Sequence, residues 1–173
     1  MNEKISGKSG APVEDFVITR VFDAPRDTVW KAWTEPEHIK HWWGPKGMDV
    51  VSCTLDLRVG GMCHYCLRGP DGEDMWGRYI YREIVPPERL VFIVSFSDPK
   101  GGITTHPMSP TWPRQMHSTV TFKAQGNKTE VTIRWQPLEA TDIEIETFDE
   151  GRDSMRQGWG GSLDRLAVHL AGA

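Results

Sequence analysis

The feature that most constrains this chain is a crowding of indoles. Four of its eight tryptophans, Trp30, Trp33, Trp42 and Trp43, fall within residues 24–43. Each buries a large area, so the segment must lie against much of the remaining chain. Pro25 suits the first turn of a helix, where its missing N–H goes unneeded. Val29, Trp30 and Trp33 give that helix an apolar face. Thr34 followed by Glu37 has capping-box spacing and predicts a second helix from Glu35-Pro36. Ile39, Trp42 and Trp43 repeat the apolar pattern before Gly44-Pro45 stops it.

Around this pair the chain reads as strand. Residues 16–22 are β-branched and aromatic. In the next segment Val51, Cys53, Leu55 and Leu57 alternate with polar residues and predict one inward face. Gly60-Gly61 turns the chain into a strand with Cys63, Tyr65 and Leu67 on one face. Pro70-Asp71-Gly72 is a hairpin turn signal, followed by a strand over 76–85. Pro86-Pro87 leads into 90–96, and two last strands are predicted near 118–123 and 130–135. About seven strands, joined by short links, make a mostly antiparallel sheet. Residues 97–115 break the rhythm with four prolines and a Gly-Gly pair, and read either as a folded lid or as a mobile loop.

The last periodic element is a helix with Met155, Trp159, Leu163, Leu166 and Leu170 on one face. The acidic residues before it, from Glu139 to Asp153, read as a solvated approach to its amino terminus. Gly158, Gly160 and Gly161 each cost about 0.8–1 kcal/mol relative to Ala in a helix. The expectation is that they allow close backbone approach or space beside Trp159. Strand, paired helices, meander and final helix predict an α+β fold, a curved sheet of about six to seven strands around a long C-terminal helix. Such a sheet leaves a hollow facing that helix.

Composition narrows the function classes. Twenty basic and twenty-four acidic side chains give −4, with no basic block to neutralise phosphates, which argues against nucleic acid. No apolar run approaches a membrane span. The amino terminus lacks the apolar core of a secretory signal, and residues 1–14 read as a flexible tail before one domain over 15–173. Three cysteines cannot complete a disulfide framework. These features predict a cytoplasmic protein with reduced thiols.

The stretches DAPRDTVWKAWTEPEHIKHWWGP, LDLRVGGMCHY, RGPDG, EIVPPERLVF and GWGGSLDRLAVHL, in this order, resemble the activator of heat-shock-protein-90 ATPase homologue domain. This is a START-like family with birch-pollen-allergen and polyketide-cyclase relatives. The resemblance spans residues 15–171 and implies the helix-grip fold, often built around an apolar cavity. Its motifs are turns, caps and core faces, and none is catalytic. The 97–115 insertion looks longer than the family's usual connection. The eukaryotic namesake carries a separate amino-terminal domain that contacts the chaperone, and the expectation is that this chain lacks one.

Other constellations read more plainly as structure. Cys63 and Cys66 lie in an alternating strand and face opposite ways, which does not suit a metal or dithiol pair. His38 and His41 share a helix side, with nothing nearby to complete a zinc site, and read as surface histidines. No nucleophile elbow, phosphate loop or dinucleotide fingerprint is present. No cofactor, metal or catalytic residue is therefore predicted. The expected activity is non-catalytic binding of a small apolar or amphipathic molecule. Its cavity would be walled by Trp43, Val51, Cys53, Leu55, Cys63, Tyr65, Gly77, Tyr79, Phe92, Met155, Trp159 and Leu163, with Trp112 as a lid. The alternatives are a cyclase or hydrolase using a cavity tyrosine or Glu83, and a stress-related chaperone partner. Monomer and homodimer are both compatible with this reading.

Overall fold

The computed structural model describes residues 13–172. Most of the predicted tail therefore lies outside the described residues. Strand β1 (Phe16–Phe22) leads into helices α1 (Arg26–Thr34) and α2 (Pro36–Trp42). The meander follows as β2 (Asp49–Leu55), β3 (Met62–Arg68), β4 (Asp74–Val85) and β5 (Arg89–Ser97). Next come β6 (Ile103–Thr104), β7 (Met116–Gln125), β8 (Lys128–Pro137), α3 (Asp142–Glu150) and α4 (Arg152–Ala171). The strands form one antiparallel sheet in the order β1-β8-β7-β5-β4-β3-β2, with β6 pairing on β5. The architecture is the predicted α+β helix grip, with one short strand more than the sequence suggested.

Period-2 patterning puts one face of this sheet against the helices. Cys63, Tyr65 and Leu67 on β3 are buried, as are Tyr79 and Tyr81 on β4 and Leu90, Phe92 and Val94 on β5. Two bulges interrupt the alternation and correct the expected faces. On β2 the register shifts between Val50 and Ser52, so Val51 is left unpaired and 46% exposed. Val50, Cys53 and Leu55 pack inward instead. On β4 the register shifts between Tyr81 and Glu83. Ile84 thereby turns inward, and the Glu83 carboxylate sits outside, 2.7 Å from Arg89 Nε.

The capping expectation also moves. Glu35, not Thr34, is the N-cap of α2 and has no side-chain cap. Thr34 is the last residue of α1, and its Oγ1 turns back along that helix to donate to Trp30 O at 2.8 Å. A true capping box forms further on, between Thr141 and Glu144. It starts α3, so the acidic approach segment is a separate nine-residue helix. Gly151 ends α3 and begins α4.

The space between sheet and α4 is filled with rings. Trp33 stacks on Trp159 with centroids 6.1 Å apart, and Trp43 meets Trp159, Tyr65 and Tyr79, each at 5.7 Å. Tyr79 packs on Phe92 at 4.3 Å. Trp42 Nε1 donates to Ala32 O at 2.9 Å, which closes the two short helices on each other. The predicted hollow therefore does not lie beneath the middle of α4. Polar contacts on the other side of α4 hold it in place. Ser162 Oγ donates to Gly44 O, Arg165 donates to Met48 O, and Asp164 pairs with Arg20 and Lys46. Those two cations, Lys46 foremost, keep the Asp164 carboxyl below the usual range.

Two glycines carry measurable consequences. A Cβ at Gly77 would overlap the Tyr65 ring, which lies across the bare backbone of β4. We expect Gly77→Ala to destabilise the fold by about 1–3 kcal/mol in urea titration, since Tyr65 cannot move without displacing Trp43. Of the three helix glycines only Gly161 shows close approach, since a Cβ there would lie 3.2 Å from Lys46 Cγ; Gly158 faces open space. Gly158→Ala should therefore stabilise the protein by about 0.8–1 kcal/mol, and an unchanged or lower midpoint would contradict this placement.

Candidate functional site

The insertion 97–115 is folded over one end of the sheet. Asp98 Oδ1 accepts from the backbone N–H groups of Lys100 and Gly102 at 2.8 and 2.9 Å, which bends the chain back into β6. These bonds favour the carboxylate and hold the Asp98 pKa below its usual value. Arg78 donates to Gly101 O at 2.7 Å, and Thr147 Oγ1 on α3 donates to Thr111 Oγ1 at 2.9 Å. The segment is tied at both ends, to the outer sheet face and to α3.

Trp112 rides on this segment and reaches the joint between α3 and α4. Its ring packs on Phe148 at 6.1 Å. Its Cζ3 would be 2.8 Å from a Cβ at Gly151, so only glycine admits the ring there. Beneath and beside it opens a cleft of 450 Å³ walled by Phe96, His106, Trp112, Trp135 and Met155, with Thr147, Glu150 and Ser154 at its α3–α4 side. A recess of 90 Å³ adjoins it, sharing Phe96, Trp112 and Trp135 and reaching Tyr65, Val94 and Met116. Trp135 packs on Trp159 at 5.6 Å, so the cleft begins where the central ring stack ends. Its buried Nε1 has no hydrogen-bond partner among the described residues.

Of the residues the sequence singled out, Met155 and Trp112 wall the cleft and Tyr65 walls the recess. Trp43, Cys63, Tyr79, Phe92, Trp159 and Leu163 are core. Cys53 and Leu55 are half-buried at its margin, and Gly77 is the seat of Tyr65. Val51 borders a different surface hollow beside α2. Burial pushes the Tyr65 hydroxyl above its usual range, and Tyr79 likewise, so both are neutral phenols. Phe96, His106, Trp135 and Glu150 were missed. Phe96 and Trp135 lie on strands the pattern had found, but only the folded insertion turns their neighbourhood into a wall.

His106 sits at the cleft mouth on the Phe96 ring, centroids 4.6 Å apart. Its Nδ1 accepts from Met108 N at 3.0 Å, which leaves the proton on Nε2 in the neutral ring. Burial lowers its pKa. Another hollow, of 490 Å³, lies on the far side of α4 among Lys46, Asp164, Arg165 and His169. It shares no wall residue with the cleft, and its charged ends are already paired.

Beside that hollow, His38 and His41 are joined by His169 from α4, a partner that lies too far along the chain to be legible in sequence. His38 Nδ1 and His169 Nε2 are 2.8 Å apart, and the His41 and His169 rings stack at 5.0 Å with planes 15° apart. Near-parallel stacked rings cannot both aim in-plane lone pairs at one ion. Among the described residues no group of three or more His, Cys, Asp or Glu is arranged to hold a metal. No helix among them is long and apolar enough to cross a membrane.

Comparison with known proteins agrees with this architecture. A family model described as activator of Hsp90 ATPase homolog 1-like protein matches residues 23–171. A solution structure of an Arthrobacter aurescens protein superposes with a TM-score of 0.77 at 26% identity, covering 93% of this chain and 88% of that one. Crystal structures from Nitrosomonas europaea and Mycobacterium smegmatis both give 0.73, at 22% and 23% identity. They cover 92% and 91% of this chain, and 95% and 91% of their own. Among curated proteins no sequence match is found.

The histidines give a pH dependence with a definite sign. Burial, followed by the neighbouring His38 and His41, lowers the His169 pKa below 6.5, and burial does the same for His106. As pH falls the unfolded chain binds these protons first, so their contribution is complete above the unfolded pKa and lost as pH drops through the lower folded value. Thermal melts between about pH 7.5 and 5.5 should show falling stability, with a shallower fall in His169→Gln. An equally steep fall in that variant would rule out His169 as a source of the dependence.

Proposed function

The chain belongs to the activator of Hsp90 ATPase homolog 1-like family, and on that premise we propose that it binds a small apolar or amphipathic molecule in the cleft under Trp112. The observation that carries the reading is the combination of a solid ring-filled core with one concave, largely aromatic space at its end. At 450 Å³ it falls in the size range of small-molecule sites, about 300–1,000 Å³. Aromatic and thioether walls supply apolar contact, and Met155 adapts its shape to a guest. His106 Nε2–H, Ser154 and Thr147 provide the few polar groups that orient one. Trp112, seated on Gly151, is the lid.

Binding without chemistry is the reading favoured over catalysis. Glu83, the carboxylate that would have served as acid or base, faces solvent in an ion pair with Arg89. The neutral tyrosines Tyr65 and Tyr79 are packed in the core, with Tyr65 touching only the recess. A cyclisation or hydrolysis would need a base at the cleft. The lining offers His106, whose Nδ1 is already occupied by Met108 N, and Glu150 at the exposed rim.

A neutral fluorophore such as N-phenyl-1-naphthylamine tests the proposal. We expect saturable enhancement with the native protein, a several-fold weaker response in Trp112→Ala, and loss in Met155→Trp, whose indole would occupy the cleft. Far-UV circular dichroism checks that both variants fold. Unaltered binding in Met155→Trp would show that the guest sits elsewhere.

A further inference from the structure

Resting on the cleft reading above, we infer that the preferred guest is a compact organic cation, an alkyl- or arylammonium, rather than a fatty-acid-like anion. Three features point the same way. The walls are aromatic rings, whose faces carry negative charge density: Trp112, Trp135 and Phe96 line the space, with the His106 ring packed on that of Phe96. A desolvated ammonium is attracted to such faces, most strongly to tryptophan. Among the described residues, the lining of cleft and recess contains one carboxylate, Glu150, and no Lys or Arg. Burial lowers the His106 pKa, so its imidazole adds no positive charge at neutral pH.

The surroundings reinforce this sign. Glu150 lies on the cleft itself, and Asp149 and Asp153 stand on either side of Gly151 with Arg152 as the one cation among residues 149–153. Arg152 is engaged elsewhere: it donates to Asp149 at 2.8 Å and to the carbonyls of Glu14 and Asp15, over the face of Phe148. Arg156, one turn on, lies over the Phe16 ring. The carboxyl end of α3 and the amino end of α4 meet at Gly151 with opposed dipoles, so neither helix sets the local potential. The free N–H groups of the first turn of α4 would ordinarily welcome an anion, but Glu150 and Asp153 flank them. Side chains decide the charge, and they are negative.

A matched trio separates charge from shape: benzyltrimethylammonium, its neutral carbon isostere neopentylbenzene, and 3-phenylpropanoate, each titrated into the native protein by tryptophan quenching. The ammonium should bind about tenfold more tightly than the isostere, with the carboxylate weakest. Glu150→Gln, an exposed and conservative change, should weaken the ammonium roughly three- to fivefold and leave the isostere unchanged. Added salt should shrink the ammonium's advantage. If the isostere or the carboxylate binds as well as the ammonium, or if Glu150→Gln leaves their ratio unaltered, the inference is overturned. In that event binding that is still lost in Met155→Trp leaves the cleft itself standing as a site. If none of the three binds while N-phenyl-1-naphthylamine still does, the cation inference alone fails.

Discussion

Everything in this molecule is arranged around the contact of Trp33 with Trp159. One ring comes from the first short helix and the other from the long terminal helix, and they lie almost parallel. Trp42, Trp43 and Phe122 close on Trp33 from other sides. Burying indole surface is worth more per residue than any other side chain in this chain can supply, and edge-to-face geometry adds to it. The stack therefore clamps α1 to α4 and, with Trp43, Tyr65 and Phe122, fills the space between the helices and the sheet. It leaves no room for a guest under the middle of α4.

The consequence is a displacement of empty space toward one end. The ring system runs from Trp33 through Trp159 to Trp135 and stops there. Beyond Trp135 the sheet continues, but α4 has already given way to Gly151 and α3. The gap would be an open groove without the folded insertion. Asp98, Arg78 and Thr111 hold that insertion, and Trp112 closes it against a glycine that has no side chain to oppose it. Trp112, the aromatic rings beneath it and Glu150 beside it thus come from parts of the chain distant in sequence.

Much of this fold is legible in the amino-acid order, because its helices and strands carry clean periodicity. Residues 155–170 carry a single apolar stripe, and Cys63, Tyr65 and Leu67 mark the helix-facing side of β3, where Cys66 on the opposite side is buried too. Period-2 extrapolation failed at Val51. The bulge there adds a single residue, so Val50 before it and Cys53 and Leu55 after it all pack inward, and nothing in local composition marks where it falls. The capping pattern at Thr34 failed because Thr34 is still the last residue of α1, its side chain turned back on Trp30 O, and the extended Glu35 takes the cap position, whereas Thr141 is itself extended and accepts from Glu144 N.

The sequence by itself determined the fold and most of its buried faces. Those properties follow from patterns local to each segment, where a few residues decide which side is dry. Only the tertiary structure decided where the empty space lies, which rings wall it, and that His169 joins His38 and His41. Each of these depends on distances between segments far apart along the chain or on how completely large side chains fill a volume. Neither quantity is carried by any local pattern, since packing is a property of the assembled chain.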